Sequence, residues 1–388
     1  MSKSLGILDV MHPASSTARK RASFDELLLA GIEAIAAKGI DEVNVTDVTS
    51  IAKVSRPTFY TYFGDMNGFY AEIWLHHGRH WLDAQYDETL EIDPKNDQAL
   101  LEIFAVSRRI PELIEVVQPE FERWWAENIG NDARRGQNAS WLLGARIGLK
   151  ISRPVSSKGA LGLPIFSYLE IGEDEFSGPL MQGLGQVPSP LPAMPGIRYS
   201  EANVEQNLTH AAIEVIAKSG VAAASMTRIA RRARVSTGTL YPRFKSVEVL
   251  IESSFAQAIR DIVSGNVVMI EAQGEGVDQY GLAVNAGFLP DREVWRNYRI
   301  EMHLAAAHDP HLAKMMEPGF EETAKLLEDS AVRMGVKRDF AIMLAWFMHV
   351  HAIGISLLFA VMPAVSQQDN RYMTRHMGAL LRSAQQLG

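Results

Sequence analysis

Residues 235–244 read VSTGTLYPRF, and residues 54–63 read VSRPTFYTYF. The two strings lie 181 positions apart, and the same register runs without a gap when residues 30–71 are aligned with residues 211–252, where 13 of 42 positions are identical. Stacked solenoid repeats have periods of about 20 to 50 residues, so a repeat at this distance indicates a duplicated domain.

Both copies have the pattern of consecutive short helices, and no run of residues alternates strongly enough to predict a strand. Gly39 and Gly220 are expected to end the first helix of each copy, because glycine takes the left-handed conformation at little cost. Two pairs are the predicted N-caps of the second and third helices: Thr46 with Thr227, and Ser55 with Ser236. A fourth helix is predicted to begin near Met66 and Val247.

Two short helices joined by a tight turn predict a helix-turn-helix, whose second helix enters the major groove of DNA. Both copies resemble the N-terminal domain of the tetracycline-repressor (TetR) family of bacterial transcription regulators. The second copy carries that family's Val-Ser-x-Gly-Thr-Leu-Tyr-x-x-Phe pattern, whereas the first departs from it at Pro57 and Phe59. At the turn, where the family usually has glycine, the chain has Lys53 and Arg234. The fourth helices also lack the lysine that often opens them in the family.

The resemblance implies an all-α chain of two tandem TetR-like units. Each unit would have an N-terminal three-helix domain with the helix-turn-helix and a C-terminal helical domain for ligand binding and dimerisation. Hydroxyl, phenol and guanidinium groups on a short helix can contact both phosphates and base edges. In the first copy the predicted DNA-binding residues are Thr46, Ser55, Arg56, Thr58, Tyr60, Thr61 and Tyr62. In the second copy they are Thr227, Arg228, Ser236, Thr237, Thr239, Tyr241, Arg243 and Lys245. Phe63 and Phe244 are expected to pack inside each domain.

Charge distinguishes the two copies. The whole chain has a net charge of −8, which argues against a uniformly basic nucleic-acid binder. Residues 44–68 sum to zero, whereas residues 225–249 sum to +5. Because phosphate neutralisation supplies most of the nonspecific affinity for DNA, the second copy is expected to bind DNA more strongly. The basic run 19–21 is either a DNA-binding arm or a solvated tail, and the unlike copies favour an asymmetric operator.

The proline-rich stretch 187–198 is predicted to be an extended linker, since it holds four prolines. Similarity resumes beyond the helix-turn-helix at an offset of 199, so the second half holds about 18 additional residues, expected within 264–290. The predicted segments are a flexible arm over 1–20, a helix-turn-helix domain over 21–70, a helical regulatory domain over 71–186, the linker over 187–198, a second helix-turn-helix domain over 199–252 and a second regulatory domain over 253–388.

These features predict a DNA-binding transcriptional regulator, expected to be a repressor and not an enzyme. Fusing two subunits would make a covalent pseudo-dimer, in which the second binding event is intramolecular. Double-stranded operator DNA and a small apolar effector are the expected partners, with no cofactor. Aromatic and sulfur residues beyond the DNA-binding domains are candidate ligand contacts: Trp124, Trp141, Trp295, Tyr298, Met302 and Trp346. The absence of cysteine excludes disulfides and suits a cytoplasmic protein.

Three alternatives remain open from the sequence. In one, only the second DNA module works, and two chains dimerise through their C-terminal helices. In another, the histidine pairs at 76/80 and 308/311 serve a metal-dependent helical enzyme, since i, i+4 and i, i+3 spacing can place two ligands on one metal. Residues 340–362 are also long and uncharged enough to span a bilayer, although a buried bundle helix is the expected structure.

Overall fold

The computed structural model describes residues 18–155, 191, 196–371 and 374, apart from residues 88, 273–277, 334 and 336. These residues form fifteen α-helices and two short 3₁₀ helices, and they contain no strand. The predicted all-α class is therefore confirmed. The chain divides into two compact units between Asn131 and Asp132.

The first unit contains a helix-turn-helix domain followed by two further helices. Its helices are α1 Ala18–Lys38, α2 Val45–Ala52, α3 Arg56–Phe63, α4 Met66–Tyr86, α5 Pro94–Ser107 and α6 Pro111–Asn128. Phe59, Phe63 and Phe69 are buried together, with ring centroids 4.7 to 5.1 Å apart. This aromatic cluster fixes α3 against the start of α4. Residues 18–21 belong to α1 in the structure, whereas the sequence places residues up to 20 in a flexible arm.

The second unit repeats this order and adds elements. Its helices are α7 Ala133–Ser152, α8 Val204–Ser219, α9 Met226–Arg232, α10 Thr237–Leu240, α11 Val247–Ala272, α12 Asp278–Ala286, α13 Glu293–Ala306, α14 Pro310–Arg333 and α15 Arg338–Val361. The 3₁₀ helices are Pro290–Arg292 and Pro363–Gln367. Helices α13 and α14 begin 199 positions after α5 and α6. The additional residues of the second half lie in the longer α11 and in α12, where the change of offset predicts them.

Helix α7 precedes the predicted linker in sequence but packs within the second unit. It lies along α15, and glycines bring the two backbones together: a Cβ added to Gly354 would lie 1.8 Å from the carbonyl oxygen of Gly144 and 2.5 Å from the amide nitrogen of Gly148. The second compact unit therefore begins at Asp132, before the predicted linker. Most of the predicted linker lies outside the described residues, so the domain limits drawn from the sequence stay a prediction.

Helix α15 contains most of the uncharged stretch 340–362, which is long enough to span a bilayer. Within the described part of the chain, Ala341–Val361 is the segment long and apolar enough to cross a bilayer, and 72% of its most apolar window is buried inside the protein. It packs against α7 and α14. This burial is typical of the core helix of a bundle, as expected from the sequence.

Candidate nucleic-acid interface

The N-caps of the second helices occupy matching positions in the two helix-turn-helix motifs, and they differ from the prediction. Asn44 caps α2: its side-chain oxygen accepts hydrogen bonds from the amides of Thr46 at 2.9 Å and Asp47 at 3.3 Å. Ser225, at the matching position, caps α9 by accepting from the amide of Arg228 at 3.3 Å. The assignment of Thr46 and Thr227 as N-caps is therefore wrong.

In the first motif, the physical reason is the third residue of α2, Asp47. The Asp47 carboxylate accepts a hydrogen bond from the Asn44 amide at 3.1 Å, which completes a reciprocal capping box. The cap therefore falls two residues before Thr46, which lies in the first turn of α2 and is exposed. The predicted caps of the third helices are confirmed, since Ser55 and Ser236 accept from the amides of Thr58 and Thr239 at 3.3 and 3.1 Å.

The turn between the two helices needs a left-handed residue in both modules. Lys53 has φ 54° and Arg234 has φ 58°, and they are the non-glycine residues with positive φ among those described. A left-handed conformation costs a residue with a Cβ about 1 to 2 kcal/mol. Both copies of the motif therefore place a cation where glycine would be the less strained choice, and both side chains are exposed.

Replacing the strained lysine by glycine is expected to stabilise the first unit. We expect Lys53→Gly to raise its free energy of unfolding by about 1 kcal/mol, because glycine takes positive φ without a Cβ clash. Urea denaturation measures this. Lys53→Ala is the matched control, since it removes the same charge but keeps the Cβ, and it should give no such gain. Equal stabilities for the glycine and alanine variants would contradict the strain.

Most of the predicted DNA-binding residues lie at the surface. Two large aromatic rings stand out: Tyr60 is 51% exposed and Tyr241, its counterpart, is 57% exposed. The others that the structure leaves exposed are Thr46, Ser55, Arg56, Thr61, Thr227, Arg228, Ser236, Thr237, Arg243 and Lys245. Three predicted residues are half-buried: Thr58, Tyr62 and Thr239. Phe63 and Phe244 are buried, as predicted.

Contacts within each module hold several of these side chains in place. Arg56 donates to the hydroxyl of Thr46, which joins α3 to the first turn of α2. Arg228 donates to Ser219 Oγ at 3.0 Å and to the carbonyl of Ala223 at 3.1 Å, which fixes α9 to the end of α8. The half-buried ring of Tyr62 lies edge-on to Phe24, with centroids 5.6 Å apart. A surface that is ordered before binding loses less entropy when DNA binds.

Ion pairs with the preceding helix change the charge of each module. Lys38 Nζ lies 2.5 Å from the Asp47 carboxylate, and that contact lowers the pKa of Asp47. In the second module Arg232 pairs with Glu214 on α8. Counting these partners changes the net charges from 0 to +1 and from +5 to +4. The second module stays the more basic, by a smaller margin than the sequence windows indicate.

The candidate ligand residues are dispersed through the cores. Trp124 is buried in the first unit, and Trp141, Tyr298 and Met302 are buried in the second. Trp346 lines a surface groove with Pro318 and Glu322. Trp295 alone of these six lines the cavity of the second unit that contains Met348 and His349. Sequence reasoning missed the arginines of that cavity, although their spacing was visible: Arg292, Arg296 and Arg299.

The histidine pairs do not gather a metal-ligand set in the described part of the chain. No group of three His, Cys, Asp or Glu side chains that could hold a metal ion occurs among the residues described. His76 instead contacts the carbonyl of Glu72 at 2.9 Å through Nδ1. Buried His349 and His351 contact different rings: His349 lies against Phe320 and His351 against Trp141.

Comparison with known proteins finds the same domain in both places. The family model described as "Bacterial regulatory proteins, tetR family" matches residues 27–73 and 208–253. The "Uncharacterized HTH-type transcriptional regulator YvdT" of Bacillus subtilis (strain 168) is 26% identical over 188 residues, covering 42% of this chain and 95% of that protein. A crystal structure of a transcriptional regulator from Rhodococcus sp. Rha1 aligns with a TM-score of 0.39 and 20% identity, over 46% of this chain and 96% of that one. Less than half of this chain thus matches nearly the whole Bacillus protein.

Proposed function

Since the chain belongs to the TetR family of transcriptional regulators and carries the family's DNA-binding domain twice, we propose that it is a repressor in which one polypeptide supplies both DNA-binding heads. The observation that carries this proposal is the repeated motif with its exposed tyrosine: Tyr60 lies in α3, and Tyr241, at the matching position, is the C-cap of α10. The exposed residues of both modules would contact the operator, and the protein would act in the cytoplasm.

The packing of α7 on α15 supports a covalent pseudo-dimer. Each helix follows the proline-containing helix of its own half, so the two are counterparts. Two of their contacts join residues 206 positions apart: Trp141 stacks on Phe347, and Gly148 lies against Gly354. Two further contacts are Gly144 with Gly354 and Gly148 with Val350. At the offset of 206, Gly144 corresponds to Val350 and Gly148 to Gly354, so each of these contacts is the counterpart of the other.

Reciprocal contacts of this kind are those of an isologous dimer interface, here formed within one chain. A second copy of the chain is then not needed to complete the bundle. The chain alone is expected to be a monomer, whereas the alternative with a single working DNA module requires two chains.

Release from DNA by an effector is the second part of the proposal. Helix α11 begins directly after the second DNA module, where Leu250 belongs to the module's core. The same helix contributes Ile259 and Ile262 to the cavity wall. At 1.5 Å per residue, the twelve residues from Leu250 to Ile262 span about 18 Å. A ligand that favours one position of α11 would thereby favour one position of α10, the recognition helix, which is the helix expected to enter the major groove of DNA.

Selection of bound fragments from random or genomic DNA tests the proposed function. We expect an operator with two unlike half-sites, because the recognition helices differ in sequence. Symmetrised variants of the selected site should then bind less tightly. A clear preference for a palindrome would contradict the expectation that the two DNA-binding modules recognise different half-sites. The absence of any salt-sensitive binding to double-stranded DNA would contradict the proposed function.

The salt dependence of binding gives a prediction for the second module. Removing one cation that touches a phosphate should reduce the slope of log K against log salt by about 0.9. We therefore expect Arg234→Gln with Lys245→Gln to reduce the slope by about 2, since both side chains are exposed. Lys314→Gln, on the exposed face of α14, is the control and should leave the slope unchanged. Equal slopes for the control and the double variant would show that neither of these two cations contacts a phosphate.

A further inference from the structure

The second unit contains a partly open cavity of about 130 Å³ between α11, α12, α13, α14 and α15. Most of its wall is apolar, with Trp295, Phe288, Met348 and Ile355 among the lining residues. An engineered protein cavity of roughly 150 Å³ takes up benzene, so this volume suits one aromatic ring or a short aliphatic chain.

The polar part of the wall is cationic. Arg292, Arg296 and Arg299 follow i, i+4, i+7 spacing and project from one face of α13 and its N-cap. His349 contributes from α15, and none of the lining residues that the structure describes is acidic. Because the three arginines keep their charge at neutral pH, the cavity combines an apolar body with a positive end.

Arg299 places a positive charge in this wall. It donates to the carbonyl oxygen of Ala352 at 3.0 Å, its Nε has no hydrogen-bond partner, and no carboxylate in the described part of the chain pairs with it. Burial lowers the pKa of Arg299 to about 10, with the charges of Arg296 and Arg292 acting in the same direction. Arg299 is half-buried. A charge partly removed from water without a counter-ion destabilises the folded protein, and a bound anion would offset that cost.

The neighbouring groups of the cavity fit the same ligand. Arg296 donates to the carbonyls of Gly287 and Leu289 at 2.6 and 3.0 Å, and its guanidinium lies 5.1 Å from the centre of the Phe359 ring. Burial lowers the pKa of Arg296, and the carboxylates of Glu293 and Asp291, which do not line the cavity, partly offset that effect. His349 is buried, its Nε2 has no partner, and burial followed by the charge of Arg299 holds its pKa well below the ordinary value. It therefore remains neutral and can donate or accept a hydrogen bond.

The first half does not repeat this chemistry. At the 199-residue offset, the positions of Arg292, Arg296 and Arg299 are taken by Asp93, Asp97 and Leu100. The Asp97 carboxylate accepts hydrogen bonds from Trp81 Nε1 at 2.9 Å and from Gln85 at 3.3 Å. The duplicated halves therefore differ in charge at equivalent positions: one has the exposed helix cap Asp93 and the hydrogen-bonded Asp97, and the other has cationic groups that line a cavity.

We propose that this cavity binds a small monocarboxylate with an apolar body of single-ring size, one per chain, with the carboxylate against Arg299 and Arg296. This inference rests on the proposed function, whose effector it assigns to a chemical class and to one half of the chain. Guanidinium groups bind carboxylates through charge-assisted, often paired hydrogen bonds, which explains why arginines suit this end of the cavity.

Titration calorimetry of the full chain without DNA tests the proposal, so its outcome is independent of operator binding. The probes are benzoate, phenylacetate and hexanoate, with benzamide and benzylamine as the neutral and cationic counterparts of benzoate. We expect at least one carboxylate to bind with one site per chain and benzamide to bind roughly tenfold or more weakly. Equal binding of benzoate and benzamide, two sites per chain, or no saturable binding of any carboxylate would overturn the proposal.

Substitution of the half-buried Arg299 separates ligand binding from folding. Arg299→Met should weaken carboxylate binding roughly 30-fold or more. The same change should raise the melting temperature of the ligand-free protein, because it replaces an uncompensated charge by an apolar side chain of similar length. Arg296→Gln should weaken binding to a lesser degree, and Arg260→Met, on exposed α11 surface, should change neither property. Wild-type affinity in both the Arg299→Met and Arg296→Gln variants would overturn the assignment.

Discussion

Tyr241→Ala should weaken operator binding about 10- to 100-fold while leaving the folded protein intact. The ring is 57% exposed, so its removal exposes no core, and surface substitutions of this kind change stability by about 0.5 kcal/mol or less. A side chain that contacts a base or phosphate contributes about 1 to 3 kcal/mol to binding, which corresponds to the expected range. Fluorescence anisotropy with the selected operator measures the affinity, and thermal unfolding measures the stability.

The corresponding change in the first module, Tyr60→Ala, is expected to have the smaller effect. Its ring is exposed to a similar extent, but the module around it carries a net charge of +1 against +4. Leu75→Ala truncates a similarly exposed side chain outside both motifs and serves as the control. Equal or reversed effects of the two tyrosine changes would contradict the argument from charge, and full affinity in both variants would remove the tyrosines from the interface.

Gly354→Ala is expected to destabilise the second unit by about 2 to 3 kcal/mol, the upper part of the range for overpacked cores. The added Cβ would meet the carbonyl oxygen of Gly144 at 1.8 Å. Because that atom belongs to the backbone of α7, no rotation of a side chain can relieve the contact, and the helices must separate. A destabilisation of this size lowers the melting temperature of a domain of this length by roughly 5 to 10 °C, which calorimetry detects.

Gly196→Ala provides the matched control for this crossing. A Cβ at Gly196 has no atom within 4 Å, so its melting temperature should equal that of the unmodified chain. If the α7–α15 contact replaces the interface between two subunits, Gly354→Ala should also promote self-association, visible by light scattering. Unchanged stability in Gly354→Ala would show that the two backbones are not in close contact.

Local features of the modules could be predicted from the sequence because short-range rules determine them. Gly39 and Gly220 follow the first helices with φ 85° and 81°, and Ser55 and Ser236 cap the third helices, as predicted. The prediction for the second-helix caps is wrong because Asn44 and Ser225, two residues before Thr46 and Thr227, are equally good caps. The amide of Asn44 also donates to the Asp47 carboxylate. Several capping residues close together leave the sequence ambiguous at that point.

Features that depend on distant residues could not be predicted in the same way. The pairing of Arg232 with Glu214 joins two helices, so a charge count over one motif overlooks it. The arginines of α13 have a spacing that is visible in the sequence but equally typical of a solvated helix face. Their place in the wall of a cavity follows from the surrounding helices, which local patterns do not describe. The packing of α7 on α15 likewise depends on Gly148 meeting Gly354 across 206 residues.

We propose that one chain binds one operator through both of its DNA-binding modules. Sedimentation of the protein with a labelled operator measures the number of chains in the complex, each chain having a mass of 43.0 kDa. We expect one chain per operator, and a complex that is weakened by changes in either module. Two chains per operator, or a complex whose affinity is unchanged when one module is removed, would contradict this proposal.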